Sequence, residues 1–420
     1  MSAFDKIIGY DDIKKELIRF CDVLKNAEKY SKLGVTLPRG ILLYGDPGMG
    51  KTMMAKAFID EVGCKTYLIR KDKPDGDFTN KIRETFEEAR KNDLSIVFLD
   101  DLDKFANEDD IHKDAEEYIT VQACIDDSRD SNLFVIATAN RMISLPDSLI
   151  RVGRFDKQIA ITFPRMKDAE KIIKHFLNGK SVSEEVDSYE IARIMDRNSC
   201  ACLETVINDA GINAGFAGRV TIEKEDIIEA CMRFLYGAPP CSEERDEKDK
   251  RLVAVHETGH ALVGEILDPG STTMVSIERY SGDIGGITLF HKGESFYLSK
   301  ETMEHGVIRT LAGKAATEII YGVSDTGCHR DLDNAFGTIS EFIDNLCTMG
   351  FEAHRNGDDP SAFLLEKRDR LVASEMERYY QQAKKIIVEN RRFFDKFVEE
   401  LLIHKTLTYK EIQELRGTYA

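Results

Sequence analysis

The sequence predicts an α/β domain on a mostly parallel sheet, a helical segment after it, and a second domain that is mostly α-helical. Three observations predict this. Short β-rich runs at Ile41–Tyr44, Thr66–Arg70, Ile96–Asp100, Leu133–Thr138 and Gln158–Phe163 alternate with helical patterns. Such alternation builds a parallel sheet covered by helices. From about Lys167 to Tyr236 the pattern is helical and lacks strand runs. Gly237-Ala-Pro-Pro-Cys241 then breaks the chain, as a domain boundary does. The predicted domains are therefore 1–165, 166–237 and 238–420. A helix is expected to open the last of them near Ser242, followed by a β-like patch over Val275–Phe290 and helical sequence to Ala420.

The composition suits this division. A chain of 420 residues that is 42% hydrophobic can bury two or three separate cores. No apolar run approaches the roughly 18–20 residues that span a bilayer. The start, Met-Ser-Ala-Phe-Asp, has no basic segment leading into an apolar one. The expected location is the cytoplasm, the alternative being membrane association through a segment or partner outside this sequence. The net charge of −17 argues against nucleic acid as a partner. Nine scattered cysteines without CxxC pairs suit a reduced compartment rather than a disulfide framework.

The first domain carries a phosphate-binding pattern. Gly45, Asp46, Pro47, Gly48, Met49, Gly50, Lys51 and Thr52 match GxxxxGK[ST] between a β run and a helical pattern. In that context backbone amides surround phosphates, the lysine reaches the β- and γ-phosphates, and the threonine hydroxyl ligates Mg2+. Ser95-Ile-Val-Phe-Leu-Asp100-Asp101 is an apolar run ending in two carboxylates. Asp100 suits Mg2+ binding through water, and Asp101 suits orienting the attacking water. Ala137-Thr-Ala-Asn140 ends a third run with a side chain able to sense a γ-phosphate. Arg151 and Arg154 sit in one short turn, as arginine fingers do.

The last domain carries His256-Glu257-Thr-Gly-His260, an HExxH pattern. On a helix the two histidines fall one turn apart on one face and share a zinc ion, with Glu257 as general base. A catalytic zinc needs a third protein ligand. Val263 and Ile266 occupy the positions where a metzincin continuation needs Gly and His. Asp331, His329 and Asp333 all qualify on chemistry alone.

With these motifs in this order, the chain resembles the FtsH family of AAA+ zinc proteases, from Phe4-Asp-Lys-Ile-Ile8-Gly9 to about Leu415. The resemblance implies an AAA+ domain with a helical lid, then a zinc peptidase domain. It implies ATP, Mg2+ and Zn2+ as cofactors, protein substrates, and a homo-hexamer. Ile8 and Gly9 would lie on the adenine side. Arg151 and Arg154 would reach a neighbouring subunit's ATP, Asn140 would be the sensor, and alignment selects Asp331 as the third ligand. Gly285-Gly-Ile-Thr-Leu-Phe290 resembles the edge strand where an extended substrate adds beside the zinc.

Four departures stand out. The family's membrane segments have no counterpart here. Asp101 stands where the family has Glu. No aromatic pore loop is recognisable in Lys71–Phe78, and the Asp-Gly-Phe signalling element is reduced to Asp126-Asp-Ser128. The expected activity is ATP-dependent endoproteolysis of unfolded or loosely folded proteins. The competing expectations are a nucleotide-regulated chaperone or scaffold with a weak motor, and an ATP-independent peptidase with a structural ATPase module.

Overall fold

The computed structural model describes residues 2–71, 77–106, 115–129, 131–237, 245–280, 285–291, 293, 297–322, 326–348, 350 and 361–420. The centre of the pore-loop segment, residues 72–76, and most of the breaker cluster, residues 238–241, lie outside them. The chain forms two compact units. One is Met1–Lys180 with Arg197–Asn208, and the other is Ser181–Asp196 with Asp209–Ala420. The helical segment 166–237 contributes to both.

The first unit is built on β1 (Gly40–Tyr44), β2 (Lys65–Ile69), β3 (Ser95–Leu99), β4 (Leu133–Ala139) and β5 (Lys157–Ala160). These form a parallel sheet in the order β2-β3-β4-β1-β5. The three inner strands are mostly apolar, with Ser95 and Thr138 as buried polar exceptions, because helices cover both faces of such a sheet. Every residue of β3 and β4 is buried. Phe78, Ile82 and Phe86 of the Phe78–Ala89 helix recur at helical spacing and pack with Leu99 and Val121 into one core cluster. The β5 run extends to Phe163 in the sequence, but the strand stops at Ala160. There the Ile161 carbonyl lies 2.1 Å from where a Cβ on Gly45 would sit, so the departing phosphate loop occupies the strand's continuation.

The order matters for function. β1, β4 and β3 are adjacent, and each has a polar motif immediately after its carboxyl end. In open α/β sheets ligands bind in that crevice.

The second unit centres on two long helices, Glu247–Leu267 and Lys300–Tyr321. Asp246 caps the first by accepting from the Asp249 amide at 2.7 Å, and Glu247 and Asp249 complement the dipole of its first turn. The helix thus starts at Glu247; residues 241–244, including Ser242, are outside the described set. Gly259 lies inside it although an interior glycine costs about 1 kcal/mol relative to alanine. The reason is the neighbouring helix: a Cβ there would meet the Ala312 carbonyl at 2.5 Å and Ala316 Cβ at 2.7 Å. Helices His329–Asp344, Ala362–Glu389, Arg391–His404 and Tyr409–Tyr419 complete a core containing Leu262, Leu311, Ile339, Tyr379 and Phe397. The β-like patch resolves into β6 (Thr272–Ser276) and β7 (Ile287–Phe290). These join β8 (Thr406–Thr408) in an antiparallel sheet of order β7-β6-β8. β8 is too short to show a period in the sequence. No described helix is long and apolar enough to cross a membrane.

Candidate metal and nucleotide sites

In the first unit the phosphate-loop residues take positive φ where only glycine is at ease: 146° at Gly45, 78° at Gly48 and 87° at Gly50. Gly50 hands the chain into the helix Lys51–Val62, so backbone amides face the loop's hollow. Lys51 is 6% exposed. Its ammonium donates to the carbonyls of Gly45 at 2.7 Å and Asp46 at 2.8 Å, and to Asn140 Oδ1 at 2.9 Å. Burial lowers its pKa, and the fields of Asp103, Asp101, Asp46 and Asp100 oppose that. Thr52 and Thr138 both donate to Asp100 Oδ1, at 2.9 and 2.8 Å. The carboxylate ending β3 is thus anchored beside the hydroxyl read as a Mg2+ ligand.

Asp101 differs. It sits at φ 55°, donates its amide to Thr138 Oγ1 at 2.9 Å, and pairs its carboxylate with Lys104 at 2.6 Å. Asp103, which sequence reasoning passed over, accepts from the Asn140 amide at 3.1 Å and so fixes the end of β4. Only the pairing of Asp-x-x-Asp with a distant apolar run would have pointed to it. Gly9, at φ 73°, packs against Asp168. The neighbouring Tyr10 hydroxyl donates to the Thr162 carbonyl at 2.9 Å. Ile8 is partly buried next to it. Pro47 and Met49 complete the loop, with Met49 buried.

The structure separates the two arginines. Arg154 is 2% exposed. It donates to both oxygens of Asp126, at 3.1 and 2.6 Å, and to the Ser148 carbonyl. Within this chain it is consumed by the motif that otherwise reads as a degraded signalling element. Arg151 is exposed, at the end of the Asp147–Ile150 helix.

In the second unit His256 and His260 lie on the Glu247–Leu267 helix with their Nε2 atoms 3.0 Å apart. Asp331 comes from the first turn of the His329–Asp344 helix. Its Oδ2 lies 3.1 Å from His256 Nε2 and 3.2 Å from His260 Nε2. Among the described residues this is the one cluster of at least three His, Cys, Asp or Glu able to converge on an ion. His329 and Asp333 do not converge on it; they are 83% and 67% exposed and face each other at 3.6 Å.

The donor set fits zinc. Tetrahedral zinc with bonds of about 2.0–2.1 Å holds its ligand atoms roughly 3.3 Å apart. The three atoms need to open by only a few tenths of an ångström. The His260 Nδ1 lies 2.7 Å from the Arg309 carbonyl, which only accepts, so Nδ1 holds a proton and Nε2 faces Asp331. Burial disfavours charge on His260, but the Asp331 hydrogen bond and charge raise its pKa to about 9. Burial likewise opposes charge on Asp331, and the two histidines hold its carboxyl well below the usual range. Metal binding at such a site displaces a proton.

Gly313 of the facing helix backs the cluster. A Cβ there would lie 2.5 Å from both Nε2 atoms. Glu257 is 7% exposed, and its Oε2 accepts from Thr288 Oγ1 on β7 at 2.7 Å.

Residues 41–163 match the AAA family, ATPase family associated with various cellular activities, and residues 243–415 match peptidase family M41. The ATP-dependent zinc metalloprotease FtsH 2 of Thermoanaerobacter sp. (strain X514) is 31% identical over 98% of this chain and 82% of its own length. The chain belongs to the FtsH family. The FtsH of Caldicellulosiruptor bescii is 31% identical, with 98% of this chain and 72% of that protein aligned. The FtsH of Aster yellows witches'-broom phytoplasma is 31% identical over 99% of this chain, which spans 64% of that relative. As an FtsH family member the chain joins an AAA ATPase domain to an M41 peptidase domain, and the family's cofactors are Zn2+ and ATP with Mg2+.

Proposed function

We propose that this chain is an ATP-dependent zinc endopeptidase acting on unfolded or loosely folded proteins. The observation that carries the reading is the convergence of His256, His260 and Asp331 within 3.0–3.2 Å of one another, with the Glu257 carboxylate held by Thr288 on the same helix's flank. His256, His260 and Asp331 would hold the zinc. Zinc supplies Lewis acidity that makes water nucleophilic near neutral pH. Glu257 accepts the proton of the attacking water and returns it to the leaving amine. β7 is an edge strand, so an extended substrate can pair with its open side.

At the nucleotide site Lys51 would exchange its contacts with the Gly45 and Asp46 carbonyls for phosphate oxygens. Thr52 and Asp100 would hold Mg2+, Asn140 would sense the γ-phosphate, and Ile8 and Gly9 would border the adenine. Residues 1–165 act as the nucleotide-binding core, 166–237 as the lid, and 238–420 as the peptidase. The working form is a cytoplasmic homo-hexamer in which exposed Arg151 reaches a neighbour's ATP while Arg154 braces the turn from within.

The test is casein degradation with and without ATP, beside Glu257→Gln. ATP-stimulated cleavage that the substitution abolishes, with zinc content and ATPase retained, is the expected result. Cleavage by the mutant overturns the base. Absence of cleavage by a zinc-loaded wild type favours a chaperone, and cleavage indifferent to ATP favours a structural ATPase module.

A further inference from the structure

β7 does more than offer an edge. Alternate residues of a strand face one side, and here that side is the zinc helix. A Cβ on Gly286 would meet Val253 Cγ1 at 2.6 Å and the Cγ and Oε1 of Glu257 at 2.8 Å. Phe290, four residues on, lies where a Cβ on Gly264 would touch its ring at 2.5 Å. Between them Thr288 directs its hydroxyl at Glu257, 2.7 Å from Oε2 and 3.2 Å from the main-chain carbonyl. Glu257 is therefore held at Oε2 by β7 and closely approached at Oε1 by the backbone just before it. Gly286 closes on Oε1 without room for a side chain, and Thr288 holds Oε2.

We propose that Thr288 is a positioning residue of the peptidase reaction: its hydroxyl fixes the rotamer of Glu257, so the strand that receives the substrate also sets where the base stands. The inference rests on the reading of Glu257 as the base. A carboxylate on a flexible glutamate samples several rotamers, and its buried position alone does not choose one. A hydrogen bond from a hydroxyl to an ionised group is strong enough to make the choice. Because the hydroxyl bonds to Glu257 and not to His256, His260 or Asp331, its loss is expected to act on turnover rather than on zinc binding. The β-branched backbone fit of Thr288 is kept by valine, and the hydroxyl is kept by serine. The two contributions can thus be separated without reshaping β7.

The experiment uses the full chain with Thr288→Val, Thr288→Ser and Glu257→Gln. It reads kcat and KM for a fluorogenic peptide, zinc per chain, ATPase rate, thermal stability, and affinity for a peptide hydroxamate, whose acidic proton the base must accept. A base displaced by about 1 Å costs roughly 10²-fold in rate. The expected result for Thr288→Val is a fall in kcat of roughly 10- to 100-fold with little change in KM. Hydroxamate binding weakens in parallel, while zinc, ATPase and melting temperature hold. Thr288→Ser recovers most of the activity. Wild-type kcat in Thr288→Val, beside an inactive Glu257→Gln, overturns the positioning role and leaves the base in place. Loss of zinc or of thermal stability in Thr288→Val also overturns it, because the hydroxyl is then only a packing element. Activity in Glu257→Gln removes the underlying reading instead.

Discussion

The sharpest prediction concerns Gly313, a residue with no chemistry of its own. Replacing it with alanine places a Cβ 2.5 Å from the Nε2 atoms of His256 and His260, 0.9 Å inside the 3.4 Å at which ordinary contact begins. The His260 imidazole has little room to retreat. His260 is tied through Nδ1 to the Arg309 carbonyl at 2.7 Å, and the two helices already touch at Gly259, where the Ala312 carbonyl is 2.5 Å from a would-be Cβ. Zinc tolerates ligand distances within about 0.2 Å, so a displacement several times larger removes the metal. Helix propensity works the other way, since an interior Gly→Ala gains about 1 kcal/mol. A failed fold is therefore not the expected route to inactivity. Gly313→Ala should retain its melting temperature and ATPase rate, bind less than roughly a tenth of the wild-type zinc, and cleave peptide at least about 100-fold more slowly. Zinc analysis by mass spectrometry and a fluorogenic peptide assay measure both. Full zinc occupancy with wild-type turnover would refute the argument that this glycine exists to make room for the metal.

Three further outcomes are expected. Arg154→Ala should destabilise the ATPase unit while Arg151→Ala should not. Breaking a buried pair costs about 3–5 kcal/mol, and Arg129, 3.0 Å from Asp126, should hold the loss to the low end or below; equal melting temperatures for the two variants would show the burial to be inconsequential. Asp101→Glu should raise steady-state ATPase, because the added methylene extends the carboxylate by about 1 Å; unchanged rates would mean the backbone already compensates. Glu318 pins the Gly313 helix to the Ala362–Glu389 helix through Lys384 at 2.6 Å and Tyr380, and it also pairs with Lys314 of its own helix at 3.3 Å. The hydrogen bonds from Lys384 and Tyr380 lower its pKa from 4.5 to about 2. Its contribution is complete above pH 4.5 and disappears as pH falls through about 2, so the stability gap between wild type and Glu318→Gln should narrow over that window; a gap that stays constant would show that the charge contributes nothing.

The contiguous part of both sites was legible. Phosphate loop, double aspartate and HExxH are short strings whose local geometry follows from the element carrying them. The parallel sheet was equally legible, because β3 and β4 are buried on both faces and read as mostly apolar runs. What the sequence hid depends on approach between distant segments. On chemistry alone Asp331 stood level with His329 and Asp333; the resemblance selected it, and the fold sets it against both histidines while leaving the other two 83% and 67% exposed. Thr288 and Gly313 carry no signal in their own neighbourhoods, because their importance is the position of another residue's side chain. β8 escaped for a simpler reason: three residues between two helices give a period of two nothing to repeat.

Two of the motor departures, Asp101 and the Asp126 element, differ in the structure, and burial is what separates them. Asp101 and Asp126 each have a basic partner, at 2.6 Å in both cases. Lys104 is 57% exposed, and a pair of that kind is worth at most about 1 kcal/mol. A bound nucleotide can therefore draw Asp101 away from it at little cost. Arg154 is 3% exposed at its side chain and has two contacts to Asp126 and a third to a main-chain carbonyl. Releasing Arg154 would strand a guanidinium in the interior, a cost that no single rearranged contact offsets. Of the two carboxylates Asp101 is thus the movable one, whereas Asp126 is a fixed brace. The turn carrying Arg151 is then held by Arg154 from inside the fold. Arg151 itself stays exposed at the end of the Asp147–Ile150 helix.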